Sequence, residues 1–294
     1  MSNVNLTLPD GKKLQVEKGS TVLQAIEKIG ARLAQVALSA SLDGKLVDLS
    51  AKIEKDAAFK VFTFSSNEGK ETYWHSTSHL MAYAIQELFP GAKFGTGPAI
   101  EEGFYYDVDY KASFTPDDLI AIENKMRELA KKDFPIKRIE MKRDEAIKYF
   151  DKKSDHYKVE IISELSEPIV SLYEEGNFTD LCTGPHVPST GKIAAVKLLN
   201  VSGSYWRGDA KNKQLQRIYG ISFPTQKELD AFLQLREERE LRDHRRIGKE
   251  MKIFAFNDDI GMGLPLWLPN GEQLFHTLQE YMREEEELAG YHYV

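Results

Sequence analysis

The stretch VNLTLPDGKKLQVEKGSTVLQAIEKIG (residues 4–30) carries two periodicities in succession. Val4, Leu6 and Leu8 alternate with polar residues up to an Asp10-Gly11 turn, and Leu14 and Val16 resume the alternation beyond it. A period of two fits a half-buried strand, and Asp-Gly between two such runs marks a hairpin. The pattern then switches. Val22, Leu23, Ile26 and Ile29 share one face at helical spacing, and Ser20 or Thr21 supplies a side-chain cap. Val36, Leu38 and Leu42 lead into an Asp43-Gly44 turn and Leu46–Leu49, which reads as another hairpin. Phe59–Phe64 alternates again and reads as a closing strand.

Strand, strand, helix and then more strands is the order of a ubiquitin-like β-grasp module. A core of that size is marginal, so the module is expected to be accessory to a larger body. The 294 residues leave room for one. The expected class is α+β: a small β-grasp domain (1–63), a larger mixed α+β domain (64–223), a long linker helix (224–250) and the opening of a further domain (251–294). SSNEGK (65–70) reads as a polar linker, and helices are expected near 73–89, 115–132 and 143–150. Thr225 with Glu228 three residues on makes a capping box, from which a helix is expected to run through LDAFLQLREERELRDHRRIGKE to residue 250. The text then turns Gly- and Pro-rich, an acidic helix follows, and Val294 falls where a strand is expected to begin.

The formal charge of −7 excludes a wholesale basic nucleic-acid coat, though not a local patch. Residues 1–62 hold nine Lys/Arg against seven Asp/Glu, so the excess acid lies beyond them. The one local candidate is Arg236, Arg239, Arg242, Arg246 and Lys249, spaced to share one face of the expected linker helix. Interspersed acids allow two readings, self-paired solvated charge or a stripe along a phosphate backbone. The single cysteine, Cys182, excludes an intrachain disulfide and fits a reducing, cytoplasmic setting. No apolar run is long enough for a membrane span, and the first residues, without an apolar h-region, do not read as a secretory signal, so none is expected.

Two short segments carry the chemistry. In WHSTSHLMAYAIQELF (74–89), His75 and His79 stack on one helix face, while Trp74, Met81, Ile85 and Leu88 form the expected core stripe. The histidines lie more than about 100° from that stripe at 3.6 residues per turn, in line with Ala82 and Gln86. In TDLCTGPH (179–186), Cys182 and His186 are again four apart, and Gly184-Pro185 makes this a strand running into a turn. Three imidazoles and a thiol read as a tetrahedral zinc set, as a metal-free pocket that activates water, or as a nucleophilic pair, which lacks an evident oxyanion hole. GTGPAIEEGFYYDVDY (95–110) adds small residues that let a ligand approach backbone, with Tyr105 and Tyr106 as expected walls. Trp206 and Arg207, beside Lys211, Lys213 and Arg217, mix aromatic and basic groups in a way that suits a nucleotide end.

Taken in order, HSTSHL, GPAIEEGFYYDVD, LCTGPHVP, GSYWRGDAKNKQLQRIYG, DHRRIGKEM and LPLWLPNG, behind the small N-terminal module, resemble the threonyl-tRNA synthetase family along the whole chain. The resemblance makes the module a TGS domain, residues 64–223 an editing domain, and 251–294 the truncated start of a class II catalytic domain. It implies that His75, His79, Cys182 and His186 line a pocket that hydrolyses serine wrongly esterified to threonine tRNA. It places Lys158 (in HYKVEII), Asp180 and Tyr106 in or near that pocket. Gly97, Pro98, Trp206 and Arg207 are then expected at the substrate, and the basic stripe at the tRNA. One departure is Ser78, where many relatives have a small apolar residue; it is expected to change local polarity only.

The resemblance also implies absences. The family's charging site, with its ATP, magnesium and zinc, needs later motifs, so this stretch is expected to require no cofactor and to charge no tRNA. The intact family forms homodimers through the catalytic domain; a monomer is allowed here. Expected partners are the acceptor end of threonine tRNA and its serine or threonine ester, with no membrane. A relative in the alanine system holds zinc with the same H-x3-H and C-x3-H pattern, so a zinc-dependent deacylase, with His75, His79, Cys182 and His186 as ligands, remains open. So does a non-catalytic tRNA-binding arm.

Overall fold

A computed structural model describes residues 2–257, 259–261 and 263–292. Val294, where a strand was expected to begin, lies outside the described residues. The chain divides into two compact units, Met1–Leu229 and Asp230–Val294.

The first unit begins with β1 (Asn3–Thr7) and β2 (Lys13–Glu17), paired in register from Asn3↔Glu17 to Thr7↔Lys13. Helix α1 (Val22–Ile29) starts at a reciprocal capping box between Thr21 and Gln24, and buries Val22, Ala25 and Ile26. A short helix the pattern did not predict, α2 (Ala31–Val36), follows, so Val36 ends a helix rather than opening a strand. β3 (Ala37–Leu42) and β4 (Lys45–Val47) form a two-residue hairpin. Both loop residues, Asp43 and Gly44, have positive φ (51° and 80°), the conformation such hairpins require. With β5 (Ala57–Thr63) the sheet order is β2-β1-β5-β3-β4, with β1 and β5 parallel at its centre, a β-grasp. Leu6, Val16, Ile26 and Phe59 fill its core. β3 does not alternate: Ala37 to Ser41 are all buried, because the following helix covers its outer side.

That helix, α3 (Asn67–Leu88), begins inside the expected linker. Ser66 caps it, and a Cβ on Gly69 would lie 1.9 Å from the Thr63 carbonyl, so its first turn is seated on the end of β5. The mixed body continues with β6 (Lys93–Phe94), β7 (Ala99–Ile100), β8 (Gly103–Asp109), α4 (Pro116–Lys131), β9 (Ile136–Lys142), α5 (Arg143–Lys152), α6 (His156–Glu164), β10 (Ile169–Glu175), β11 (Phe178–Leu181), β12 (Ala195–Tyr205) and β13 (Gln214–Phe223). One antiparallel sheet has the order β12-β13-β8-β6, with β7 also on β8; the other is β11-β10-β9. α3 contacts β8 and β13 of the first and β11 of the second, and is therefore buried nearly all round from Thr72 to Ile85. Trp74 Nε1 and Tyr73 OH donate to the carbonyls of Ser222 and Phe223 at 2.9 Å each, which fixes its rotation. The histidines do lie off the core stripe, but the helix is not amphipathic in the fold, because the second sheet covers their face as well.

α7 (Gln226–Leu241) starts behind Thr225, whose hydroxyl accepts from Glu228 N at 3.2 Å. The long linker helix does not run unbroken to residue 250. It stops at Leu241, and α8 (His244–Glu250) restarts behind Asp243, which caps it by accepting from Arg245 N. The break means that Arg236, Arg239, Arg242, Arg246 and Lys249 do not share one continuous helix face. Arg236, Arg242 and Arg246 pair with Glu240, Glu238 and Glu250, the exposed i,i+4 pairing expected of charge-rich helices. The second unit is completed by a hairpin of β14 (Phe254–Phe256) and β15 (Pro265–Trp267) and by α9 (Pro269–Leu288). No helix among the described residues is long and apolar enough to cross a membrane.

Candidate functional site

α3 turns His75 and His79 towards the loop that leaves β11. That loop is held by its neighbours. Cys182 exchanges two hydrogen bonds with Ser171 of β10, its N–H donating to the Ser171 carbonyl at 3.1 Å and its carbonyl accepting from the Ser171 hydroxyl at 2.6 Å. Gly184 has φ +71°, and a Cβ there would lie 2.0 Å from the Tyr173 hydroxyl, so glycine is required on both counts. The bend brings His186 back against the histidines of α3. The three imidazole centroids lie 4.5–4.9 Å apart, and one donor atom from each of His75, His79, Cys182 and His186 falls within 4.8 Å of the others.

Hydrogen bonding sets the tautomers. His75 Nδ1 is 3.1 Å from the Gly97 carbonyl, which can only accept, so Nδ1 carries the proton and Nε2 presents a lone pair to Cys182 Sγ at 2.9 Å. Ser76 donates its hydroxyl proton to the Thr72 carbonyl at 2.7 Å, so at 3.1 Å it accepts from His186 Nδ1–H. That leaves His186 Nε2 facing the same sulfur at 3.2 Å. His79 Nδ1 lies 3.8 Å from Asp180 Oδ2. Burial pushes all three imidazoles below the usual histidine range, His79 and His186 well below it, and raises the Cys182 thiol to about 12. The cluster is a neutral, buried set of lone pairs and one thiol.

This donor set fits a tetrahedral metal chemically. Zinc takes imidazole and thiolate at about 2.0–2.3 Å, and each histidine has its outer nitrogen directed at an acceptor, as metal-binding imidazoles usually do.

Beside the cluster, Lys158 of α6 directs its ammonium to three acceptors: Asp180 Oδ1 at 2.6 Å, the Gly95 carbonyl at 2.8 Å and the Tyr106 hydroxyl at 3.1 Å. Tyr106 OH donates to Asp180 Oδ2, closing a buried triangle. Burial and the adjacent Asp180 charge hold the Tyr106 phenol well above its ordinary value, so it stays protonated. These groups wall a cavity of about 710 Å³ that His75, His79 and Cys182 also line. Gly97 and Pro98 lie in the same wall, and a Cβ on Gly97 would meet the Tyr106 ring at 2.2 Å.

The predicted set is thus largely brought together, with His186 just beneath the floor, 1% exposed. Several of the aromatic and basic residues lie outside this cavity. Tyr105 alternates with Tyr106 along β8 and so faces away, stacking on Arg217 at 3.8 Å. Trp206 is buried against Tyr157 and Leu215, its indole N–H on Glu160, and lines no wall of the cavity. Arg207 forms a fork with Glu164 at 2.7 and 2.8 Å and reaches Glu160 at 2.9 Å, so its guanidinium braces α6. Lys213 and Arg217 are likewise held by Asp109 and Asp107. Ser78 does more than alter polarity: its hydroxyl lies 2.6 Å from the Gly97 carbonyl and 2.7 Å from that of His75, tying α3 to the pocket wall.

Sequence reasoning did not find Ser76, Ser171, Tyr173 or Asp48. Ser76 sits between the two histidines and could have been suspected there; the others act through strand pairing or from the N-terminal module, and carry no local signal.

The TGS domain model matches residues 4–63, and the model described as the threonyl and alanyl tRNA synthetase second additional domain matches residues 170–219, which include Asp180, Cys182 and His186. The chain is 51% identical over 291 residues to the threonine–tRNA ligase of Chlorobium chlorochromatii (strain CaD3), covering 98% of this chain and 44% of that protein. It is 51% identical over 281 residues to that of Parabacteroides distasonis, covering 95% and 43%. It is 46% identical over 289 residues to that of Carboxydothermus hydrogenoformans, covering 98% and 45%. The chain therefore spans less than half the length of these relatives. Along nearly all of its own length it belongs to the threonine–tRNA ligase family, of which it carries the TGS domain and the second additional domain that threonyl and alanyl tRNA synthetases share.

Proposed function

We propose that the cavity walled by Lys158, Asp180 and Tyr106 hydrolyses the ester between serine and threonine tRNA, correcting mischarged tRNA in the cytoplasm. The observation that carries this reading is the neutral cluster at its floor: His75 and His186 give their Nδ1 protons to the Gly97 carbonyl and the Ser76 hydroxyl, and their Nε2 lone pairs converge on Cys182, which lines the cavity with His75. A neutral imidazole is what general-base activation of water requires. Water adds to the ester carbonyl, the bond to the terminal ribose oxygen breaks, and the water's proton passes to the base while the ribose hydroxyl is reprotonated.

His75 is assigned to placing water. Lys158, whose ammonium protons all have acceptors, holds Asp180 and Tyr106 in position beside the 3′ adenosine. Cys182, His186 and Asp180 shape the amino-acid pocket. The need for such a site is energetic. A missing methyl changes binding by only about 1–3 kcal/mol, too little to keep serine off threonine tRNA in one step. A pocket pinned as tightly as the Cys182–His186 loop can admit serine and exclude one more methyl.

A second reading is favoured by the four donor atoms lying within 4.8 Å: His75, His79, Cys182 and His186 would hold zinc, which supplies Lewis-acid polarisation and a more acidic bound water. Deacylation of serine- and threonine-charged threonine tRNA, with and without a strong chelator, tests both. Serine-selective hydrolysis that survives chelation supports the metal-free reading, and loss with chelator supports zinc. Equal rates for His75→Ala, Cys182→Ala and the parent would refute the residue assignment.

A further inference from the structure

The N-terminal module has no assigned part in this site, yet one of its carboxylates ends on the site's loop. Asp48 follows β4, 138 positions before His186. Its Oδ1 accepts the His186 backbone N–H at 2.8 Å, and its Oδ2 accepts the Tyr173 hydroxyl at 2.7 Å. Tyr173 in turn packs under the same loop: its ring centroid is 4.3 Å from that of His186, and its hydroxyl occupies the space a Gly184 Cβ would need. One carboxylate therefore grips the bend by its backbone and by the side chain that supports it. A second thread reaches the same imidazole. Ser39 of β3 bonds Thr72 at 2.9 Å, the Thr72 carbonyl accepts from Ser76, and Ser76 accepts from His186 Nδ1.

We propose that Asp48 is a positioning residue for the ester-hydrolysis site, and that the β-grasp module completes that site by holding His186 and Cys182 in register with His75. The inference rests on the hydrolytic reading only for its catalytic consequence. Asp48 lines no wall of the cavity, so it acts through the loop and not on the substrate. Lys192 Nζ reaches the Gln35 carbonyl of the module at 2.7 Å without bonding to the loop and serves as a control.

The test uses the whole chain with Asp48→Ala, Asp48→Asn, Tyr173→Phe and Lys192→Ala. Two readouts are taken: turnover of serine-charged threonine tRNA, and the alkylation rate of Cys182, the chain's single cysteine. Asp48→Ala is expected to lower kcat by about ten-fold or more with KM within about two-fold, since small misplacements of reacting groups are costly. It should also speed alkylation several-fold, roughly as a loosened loop opens more often. Asp48→Asn keeps an amide oxygen for the His186 N–H and should recover most of both, whereas Lys192→Ala should match the parent. Parent-like turnover and alkylation in Asp48→Ala would overturn the proposal. If Asp48→Ala does not fold, parent-like alkylation in both Asp48→Asn and Tyr173→Phe overturns it, and acceleration in Tyr173→Phe beyond Asp48→Asn supports it. Faster alkylation in a parent background with no hydrolysis would keep the clamp and refute the hydrolytic reading.

Discussion

Replacing Lys158 with methionine retains an unbranched stem in the cavity wall and removes the ammonium that Asp180 faces at 2.6 Å. Both partners are almost fully buried, with side-chain exposures of 4% and 2%, so solvent cannot screen the stranded carboxylate. Removing one member of a buried ion pair costs about 3–5 kcal/mol. The upper part of that range is expected, since the Gly95 carbonyl and the Tyr106 hydroxyl lose a donor as well. For a unit of this size that corresponds to a fall in Tm of about 6–20 °C. The double variant Lys158→Met/Asp180→Asn removes both charges and is expected to recover more than half of the loss. Thermal and urea unfolding of the three proteins at pH 8 provides the check. A Lys158→Met loss under about 1 kcal/mol, the value of an exposed pair, or a double variant no better than the single, would refute the account of this triangle as a buried electrostatic unit.

Gly97→Ala puts a Cβ 2.2 Å from the Tyr106 ring, too close for any side-chain contact, so the ring must move off Asp180. Stability is expected to fall by about 1–3 kcal/mol and serine-ester turnover with it; unfolding and turnover like the parent's would show the wall to be compliant. His75, His79 and His186 are held neutral by burial, so the unfolded chain binds protons that the folded one refuses. Their contribution is complete above about pH 6.5 and is lost as pH falls, with a slope of up to about 4 kcal/mol per pH unit if all three respond; urea midpoints flat between pH 7.5 and 5.5 would contradict this. With its thiol raised to about 12, Cys182 should react slowly with iodoacetamide at pH 8 and keep accelerating beyond pH 9. A plateau near pH 9 would mean that the thiol is solvated.

What could be read from the chain alone is what neighbouring residues decide among themselves. Thr21 caps α1, Asp43-Gly44 turns a hairpin and Thr115 starts α4, because caps and tight turns are satisfied within three or four residues. Four-residue spacing on a helix likewise put His75 and His79 on one face, and the residue types of the site were legible as chemistry. Beyond that range the periodicities mislead. α3 reads as amphipathic, but two sheets close over it, and a face that lacks large apolar residues is buried because its polar groups find partners in Gly97, Asp180 and Cys182. Trp206 and Arg207 read as a ligand platform, but α6 supplies Glu160 and Glu164 to bind them first. The charge spacing across Arg242 implies one helix, whereas Asp243 offers a local cap that ends it. Above all, the 107 residues between His75 and Cys182, and the 138 between Asp48 and His186, are closed only by strand pairing and helix packing. The sequence determines which groups can act as acids, bases and ligands, since that is a property of side chains. Tertiary structure alone decides which of them meet, because their distances, tautomers and protonation depend on surfaces contributed by segments far away in the chain.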